Sequence, residues 1–325
     1  MTASVTDSSA RATHHAEHEI AVDAPARDVY EVLANVRNWP LMFDLTVHGE
    51  IVERNGQDEQ IRIWSATNDA ARTWTSRRHH DPEALTIGFR PDKTKAPIGG
   101  MNGTWAVEPL TDSTCRLRIL HDFFPATDDP ADLDWINNAL DRNTGVELAK
   151  VKARAESLDS PLLLTFADTV EVDGSATDVY DFLNEARLWN ERLPHVSRVS
   201  LEEVMPGLQI LEMDTRTKDG SAHTTRSIRV CEPNKRITYK QTALPALLTL
   251  HTGRWLIEEH APDRVSVTSE HTVRINTSTI TSVLGEDADL ATAQTFVRDA
   301  LSEDSLATLK PAKAYAEDAA GRGRN

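Results

Sequence analysis

The chain has 325 residues, 39% hydrophobic and 26% charged, with 35 basic against 51 acidic side chains for a net charge of −16. This ordinary globular balance, long enough for two cores, excludes a membrane span, since no apolar run nears ~20 residues, and generic nucleic-acid binding, which needs a basic face. Cys115 and Cys231 lie far apart and outside any metal or redox spacing, so a reducing cytoplasm is expected and a disulfide framework or structural zinc is not.

In chain order, residues 1–13 are polar and read as a disordered tail, without the apolar core of a signal peptide. A strand over His15–Val22 leads through an Asp or Ser cap to an amphipathic helix over Pro25–Val36. There Val29, Val32, Leu33 and Val36 form one apolar stripe at i, i+3, i+4 and i+7. A second short helical stretch follows around Trp39. About six alternating strands come next, divided by turns such as RNGQ, DPEA and TDST, and a long helix closes the segment over Pro130–Ser157.

After a short polar linker, SLDSP at 157–161, the same order recurs. DAPARDVYEVLANVRNW at 23–39 matches DGSATDVYDFLNEARLW at 173–189, an offset of 150. Gly103, Trp105 and His121 recur as Gly253, Trp255 and His271, and four of the seven tryptophans sit in such pairs. The chain is a tandem duplication, with domains expected over 14–157 and 158–319 and a second disordered tail over 320–325. In the second copy a strand over Leu163–Val172 and a helix over Ala176–Ala186 precede the strands. A long helix over Asp287–Ala319 follows, and Pro311 predicts a kink or break in it. Short helices and one long one do not fill a six- or seven-stranded sheet. An α+β fold follows: in each half a curved antiparallel sheet grips the long C-terminal helix around a cavity.

Side chains alternate along a strand. On the last strand of each half the apolar residues mark the inner face, which puts His121 and His271 inward. On Arg72–His80, Trp74, Ser76, Arg78 and His80 share one face; the matched set is His223, Thr225, Ser227 and Arg229. A buried guanidinium needs a carboxylate or a wet polar pocket. No inward acid is evident on the adjacent strands, so Ser76–Arg78 and Ser227–Arg229 read as pocket residues, against the alternative that Arg77–His80 is a solvated face. Trp39, Trp105, Trp189 and Trp255 read as packing residues or as pocket walls.

The motifs NWPLMF (38–43), W-x-S-x-R (Trp74, Ser76, Arg78), MNGTW (101–105) and the helix LDRNTGVELAKVKARAE (140–156) resemble the aromatase/cyclases of bacterial type II polyketide synthases, in the START-like helix-grip superfamily. The duplication resembles the di-domain branch. The resemblance implies folding of a poly-β-ketone held on an acyl carrier protein, one intramolecular aldol closure, and loss of water to give an aromatic ring. For di-domain members it further implies a chain reduced at carbon nine and closure between carbons seven and twelve. By resemblance the pocket residues are Trp74, Ser76, Arg78, Trp39, Met101 and Trp105. A helix-borne Asn falls near Asp141 or Asn143, and Ser227, Arg229, Thr225, Trp189 and Trp255 line the second pocket.

Arginine stays protonated and suits charge stabilisation, so His80, His121 and His271 are the candidate proton carriers. No cofactor and no metal are expected, since the chain has neither a Gly-rich phosphate loop nor ligand spacing. The alternative reading is a START-like module that binds an apolar ligand without chemistry. The acyl carrier protein, and possibly other synthase subunits, are the expected partners. Because carrier proteins are acidic, a local basic rim at Arg72, Arg77 and His79, or at Lys235 and Arg236, is the expected docking surface.

Overall fold

The computed structural model describes residues 13–67, 70–216 and 222–323; most of the expected N-terminal tail lies outside them. The chain divides into two compact units with the main break between Leu158 and Asp159.

In the first unit, strand β1 (His14–Val22) precedes helix α1 (Ala26–Ala34) and a 3-10 turn over Val36–Leu41. Strands β2 (Thr46–Asn55), β3 (Asp58–Thr67), β4 (Ala70–Asp81), β5 (Thr86–Pro91), β6 (Ile98–Pro109) and β7 (Cys115–Pro125) follow, then helix α2 (Pro130–Ala155). The sheet order is β1-β7-β6-β5-β4-β3-β2, so a meander closes by bringing its last strand beside the first. The predicted apolar stripe holds: Val29, Val32, Leu33 and Val36 are all buried. Val29, Val32 and Leu33 meet Ile87, Trp105, Leu117 and Ile119 from the sheet and Leu148 and Val151 from α2, while Val36 packs with Ile61 and Ile63 of β3. No Asp caps α1; Pro25 precedes it with no side-chain cap, whereas Asp129 caps α2 by accepting from the Ala131 N–H at 2.9 Å.

The second unit repeats the plan. Strand β8 (Leu163–Val172) leads to α3 (Ala176–Asn184), a 3-10 turn and α4 (Trp189–Arg192). Then come β9 (Val196–Met205), β10 (Leu208–Arg216), β11 (Ala222–Glu232), β12 (Arg236–Ala243), β13 (Leu248–Ala261) and β14 (Arg264–Ile275), in the order β8-β14-β13-β12-β11-β10-β9. Here Ser175 supplies the cap of α3, accepting from the Asp178 N–H at 3.1 Å. A short helix that the pattern gave no sign of, α5 (Ile280–Leu284), precedes α6 (Leu290–Gly323).

Two expectations are corrected in α6. The helix runs through Pro311 unbroken, because Leu309, Ala312 and Ala316 around it are buried in the core and hold that segment in place. One missing N–H bond is outweighed by packing. Residues 320–323, expected in a tail, continue the same helix.

Candidate active site

Strand alternation placed the two arginines correctly: Ser76, Arg78, His121, Arg229 and His271 are all buried. Their surroundings differ between the units.

Around Arg78 the expectation of no inward acid is wrong. Glu59 of β3 turns inward with no accessible side-chain surface. Arg78 donates Nε–H to Glu59 Oε1 at 2.8 Å and Nη2–H to the same oxygen at 2.5 Å. Its remaining donors reach the Leu33 carbonyl from Nη1 (2.9 Å) and the Ala34 carbonyl from Nη2 (2.5 Å), at the end of α1, and Trp39 stacks below at 5.4 Å. Glu59 also accepts from Arg54 and lies 3.0 Å from His80 Nε2. Burial raises the Glu59 carboxyl, but the His80 bond, the Arg78 charge and the Arg54 bond outweigh it and bring it down to about 2. This is a satisfied buried ion pair that fixes the end of α1. His121 sits under Phe89, ring centroids 5.9 Å apart; burial first, then the nearby His18, lower its pKa to about 4.

Two further expectations in this unit are corrected. Trp74 shares the register of Arg78 but lies far enough along β4 to be 36% exposed, so it is no enclosed wall. Asp141 and Asn143 point outward, Asp141 pairing with His18 at 2.9 Å. The inward face of α2 is Ile136, Leu140, Thr144, Leu148, Val151 and Ala155, which makes Thr144 its buried polar residue. On the expected docking rim, Arg77 pairs with Asp92 at 3.2 Å, His79 Nδ1 lies 2.8 Å from Asp58, and Arg236, in the second unit, pairs with Glu232 at 2.5 Å. A concavity of about 440 Å³ at the ends of β5–β7 includes Met101, Arg90 and Asp92 but neither Ser76 nor Arg78.

The second unit gathers the chemistry. One pocket of about 100 Å³ is lined by Trp189, Thr225, Ser227, Arg229, Trp255 and His271 from the sequence reading. It also takes in Tyr239, His251, Ser305, His195 and Asp304, which that reading missed. Arg229 is 2% exposed, donates Nη2–H to the Leu183 carbonyl at 2.6 Å and lies 5.4 Å over Trp189. Its Nη1 has no partner among the described residues. Opposite Arg229 in the β10–β11 register stands Gln209, 150 residues after Glu59, turned toward Asn184 at 3.0 Å.

Nearby, His271 Nδ1 lies 2.9 Å from His251 Nε2 and 3.1 Å from the Tyr239 hydroxyl. Its Nε2 lies 2.7 Å from Ser305 Oγ and 3.2 Å from Ser269 Oγ. Burial, with the paired imidazole adding to it, lowers His251 to about 3, and burial lowers His271 to about 4, so both are neutral at pH 7. Burial raises the Tyr239 hydroxyl and the Asp304 carboxyl above their ordinary ranges.

Two sheet-and-long-helix units of this order, each with an inward Ser-x-Arg, define a START-like helix-grip protein, and the second unit's pocket is lined by polar and titratable side chains. A family model described as polyketide cyclase/dehydrase and lipid transport matches residues 13–156. The granaticin polyketide synthase bifunctional cyclase/dehydratase of Streptomyces virginiae is 45% identical over 91% of this chain and 97% of its own. The actinorhodin counterpart of Streptomyces coelicolor is 42% identical over 93% and 97%. The crystal structure of BexL, a di-domain ARO/CYC from the BE-7585A biosynthetic pathway, superposes with a TM-score of 0.89 at 51% identity, covering 94% of this chain and 99% of that one. The chain belongs to the family of polyketide synthase bifunctional cyclase/dehydratases, enzymes of the cyclase/dehydratase class.

Proposed function

We propose that the protein takes a poly-β-ketone reduced at carbon nine from an acyl carrier protein, closes its first ring by aldol addition between carbons seven and twelve, and dehydrates it to an aromatic ring. The observation that carries this reading is the second unit's pocket, where a buried guanidinium faces a hydrogen-bonded set of neutral imidazoles, a phenol and hydroxyls. A carrier of apolar ligands gains nothing from these groups, each of which is costly to bury. The pocket is on the scale of the ~150 Å³ cavity that admits one benzene ring. At about 100 Å³ it encloses somewhat less than one ring, so the rest of the chain lies outside it.

The chemistry follows from the residue types. Closure removes a proton from the methylene between two carbonyls, and the enolate oxygen gains negative charge. A fixed guanidinium stabilises it without giving up its own proton. The enolate carbon attacks the second carbonyl carbon, and that oxygen takes a proton to become the hydroxyl. Aromatising a ring reduced at carbon nine takes two dehydrations, of the new aldol hydroxyl and of the carbon-nine hydroxyl. In each, an adjacent C–H proton goes to a base, the C–O bond breaks, and the hydroxyl leaves as water with one proton; enolisation of the remaining ring carbonyl completes the aromatic ring. His251 and His271 are unprotonated at pH 7 and can relay a proton through the Tyr239 and Ser305 bonds, but burial makes each a weaker base than an ordinary imidazole, so the enolate relies on the Arg229 charge for its stabilisation.

No helix among the described residues is long and apolar enough to cross a membrane. On the proposed reading the protein works alongside the other synthase subunits. A minimal polyketide synthase and ketoreductase run with and without the protein test the reading. A change from mixed shunt products to one aromatic product supports it; an unchanged profile with active partner enzymes favours the apolar-ligand module.

A further inference from the structure

We infer that the residue facing each Ser-x-Arg arginine across the sheet decides which unit handles the developing enolate: Glu59 closes the first site, and Gln209 leaves the second open for an anionic oxygen. The inference rests on the cyclase reading and adds the assignment of chemistry to one unit.

Arg78 has five donor hydrogens. Nε–H and Nη2–H are directed at Glu59, and Nη1 and Nη2 also serve the carbonyls that end α1. An enolate oxygen brought there meets a carboxylate already seated on the guanidinium, so like charge opposes its arrival. Arg229 lies on the same sheet position with the same Trp beneath it and the same helix-end carbonyl, Leu183 for Leu33. What differs is the facing residue. Gln209 is neutral, bonds Asn184, and leaves its own Oε1 without a partner, as Arg229 Nη1 is left. A buried cation without its anion is costly, and an oxyanion entering the pocket supplies the missing charge.

A second set of positions differs in the same sense. Tyr239 pairs with Gly253 and Gly253 with His271, as Phe89 pairs with Gly103 and Gly103 with His121. In this register His251, Tyr239 and Ser269 stand where the first unit carries Met101, Phe89 and Ile119. The unit with the unmatched arginine is thus also the one with hydrogen-bonding groups around its inward histidine.

Gln209→Glu gives Arg229 the ion pair that Arg78 already has, at nearly constant side-chain volume. With the fold verified by near-ultraviolet dichroism, aromatic product formation is expected to fall ~100-fold, the scale of removing one oxyanion donor, and the loss to lie in kcat rather than KM. Activity within threefold of wild type overturns the assignment. A wild-type protein that gives no aromatic product instead overturns the cyclase reading itself. Should Gln209→Glu not fold, titration of 2-naphthol bound to the wild-type protein decides. An open Arg229 is expected to bring the phenolate band in at least ~1 pH unit below that of free naphthol, and Arg229→Met to abolish the shift. No shift in the wild type overturns the assignment.

Discussion

Glu59→Gln tests the physical core of the account, because it turns a closed arginine site into a copy of the open one. The substitution leaves the 4%-exposed Arg78 without a carboxylate, and removing one partner of a buried pair costs ~3–5 kcal/mol. A separate estimate comes from the carboxyl itself. Its pKa moves from 4.5 unfolded to about 2 folded, which at ~1.4 kcal/mol per unit corresponds to roughly 3 kcal/mol. A carboxyl depressed on folding contributes this stability above its unfolded pKa and loses it as pH falls through the folded one, so roughly 2 kcal/mol is gone by pH 3. Urea unfolding of wild type and Glu59→Gln at pH 7 and pH 3 measures both. The expected gap is ~3–5 kcal/mol at pH 7, a drop in Tm on the order of 10 °C, shrinking by roughly 2 kcal/mol at pH 3. A gap below ~1 kcal/mol at pH 7, or an equal gap at both pH values, refutes the ion-pair reasoning.

Other outcomes follow from the same geometry. His271→Phe removes the centre of the hydrogen-bonded set and is expected to lower product formation ~100-fold, measured as the initial rate of aromatic absorbance. Both imidazoles have pKa values depressed by folding, to about 3 and about 4, so their contribution to stability is complete above ~6.5 and is lost as pH falls toward 4. A His251→Phe/His271→Phe double variant is expected to flatten the stability–pH curve over that window, as read by urea melts. Gly253→Ala places a Cβ 2.5 Å from the Tyr239 hydroxyl oxygen and 2.5 Å from the Glu270 carbonyl. It is expected to cost ~1–3 kcal/mol and to reduce activity by displacing the phenol from His271.

Much of the fold was readable because duplication doubles every weak signal. The strand faces followed from β7, where Leu117, Ile119, His121 and Phe123 are all buried, and a period of two needs only a few apolar markers. The inward acid was missed although the same period shows it: Glu59, Ile61 and Ile63 alternate along β3 and are all buried. Asp141 and Asn143 failed for the opposite reason. One residue on a helix is about 100° of rotation, so proximity in sequence to the buried Leu140 and Thr144 says little about facing. His251 and Tyr239 had a usable signal in the comparison of halves, as polar replacements of Met101 and Phe89 at matched positions. Their convergence on His271 depends on side-chain directions that no spacing encodes. Continuity through Pro311 is a packing outcome, set by core neighbours far away in sequence.

Arg229→Met offers the most direct measurement of the central claim. A residue kept for structure should destabilise when replaced, whereas an unmatched buried cation replaced by an apolar isostere should leave stability equal or higher. Thermal unfolding and the product profile of the reconstituted synthase are measured on the same preparation. The account predicts a Tm at or above that of wild type together with loss of the single aromatic product. A variant that makes the aromatic product at the wild-type rate contradicts it.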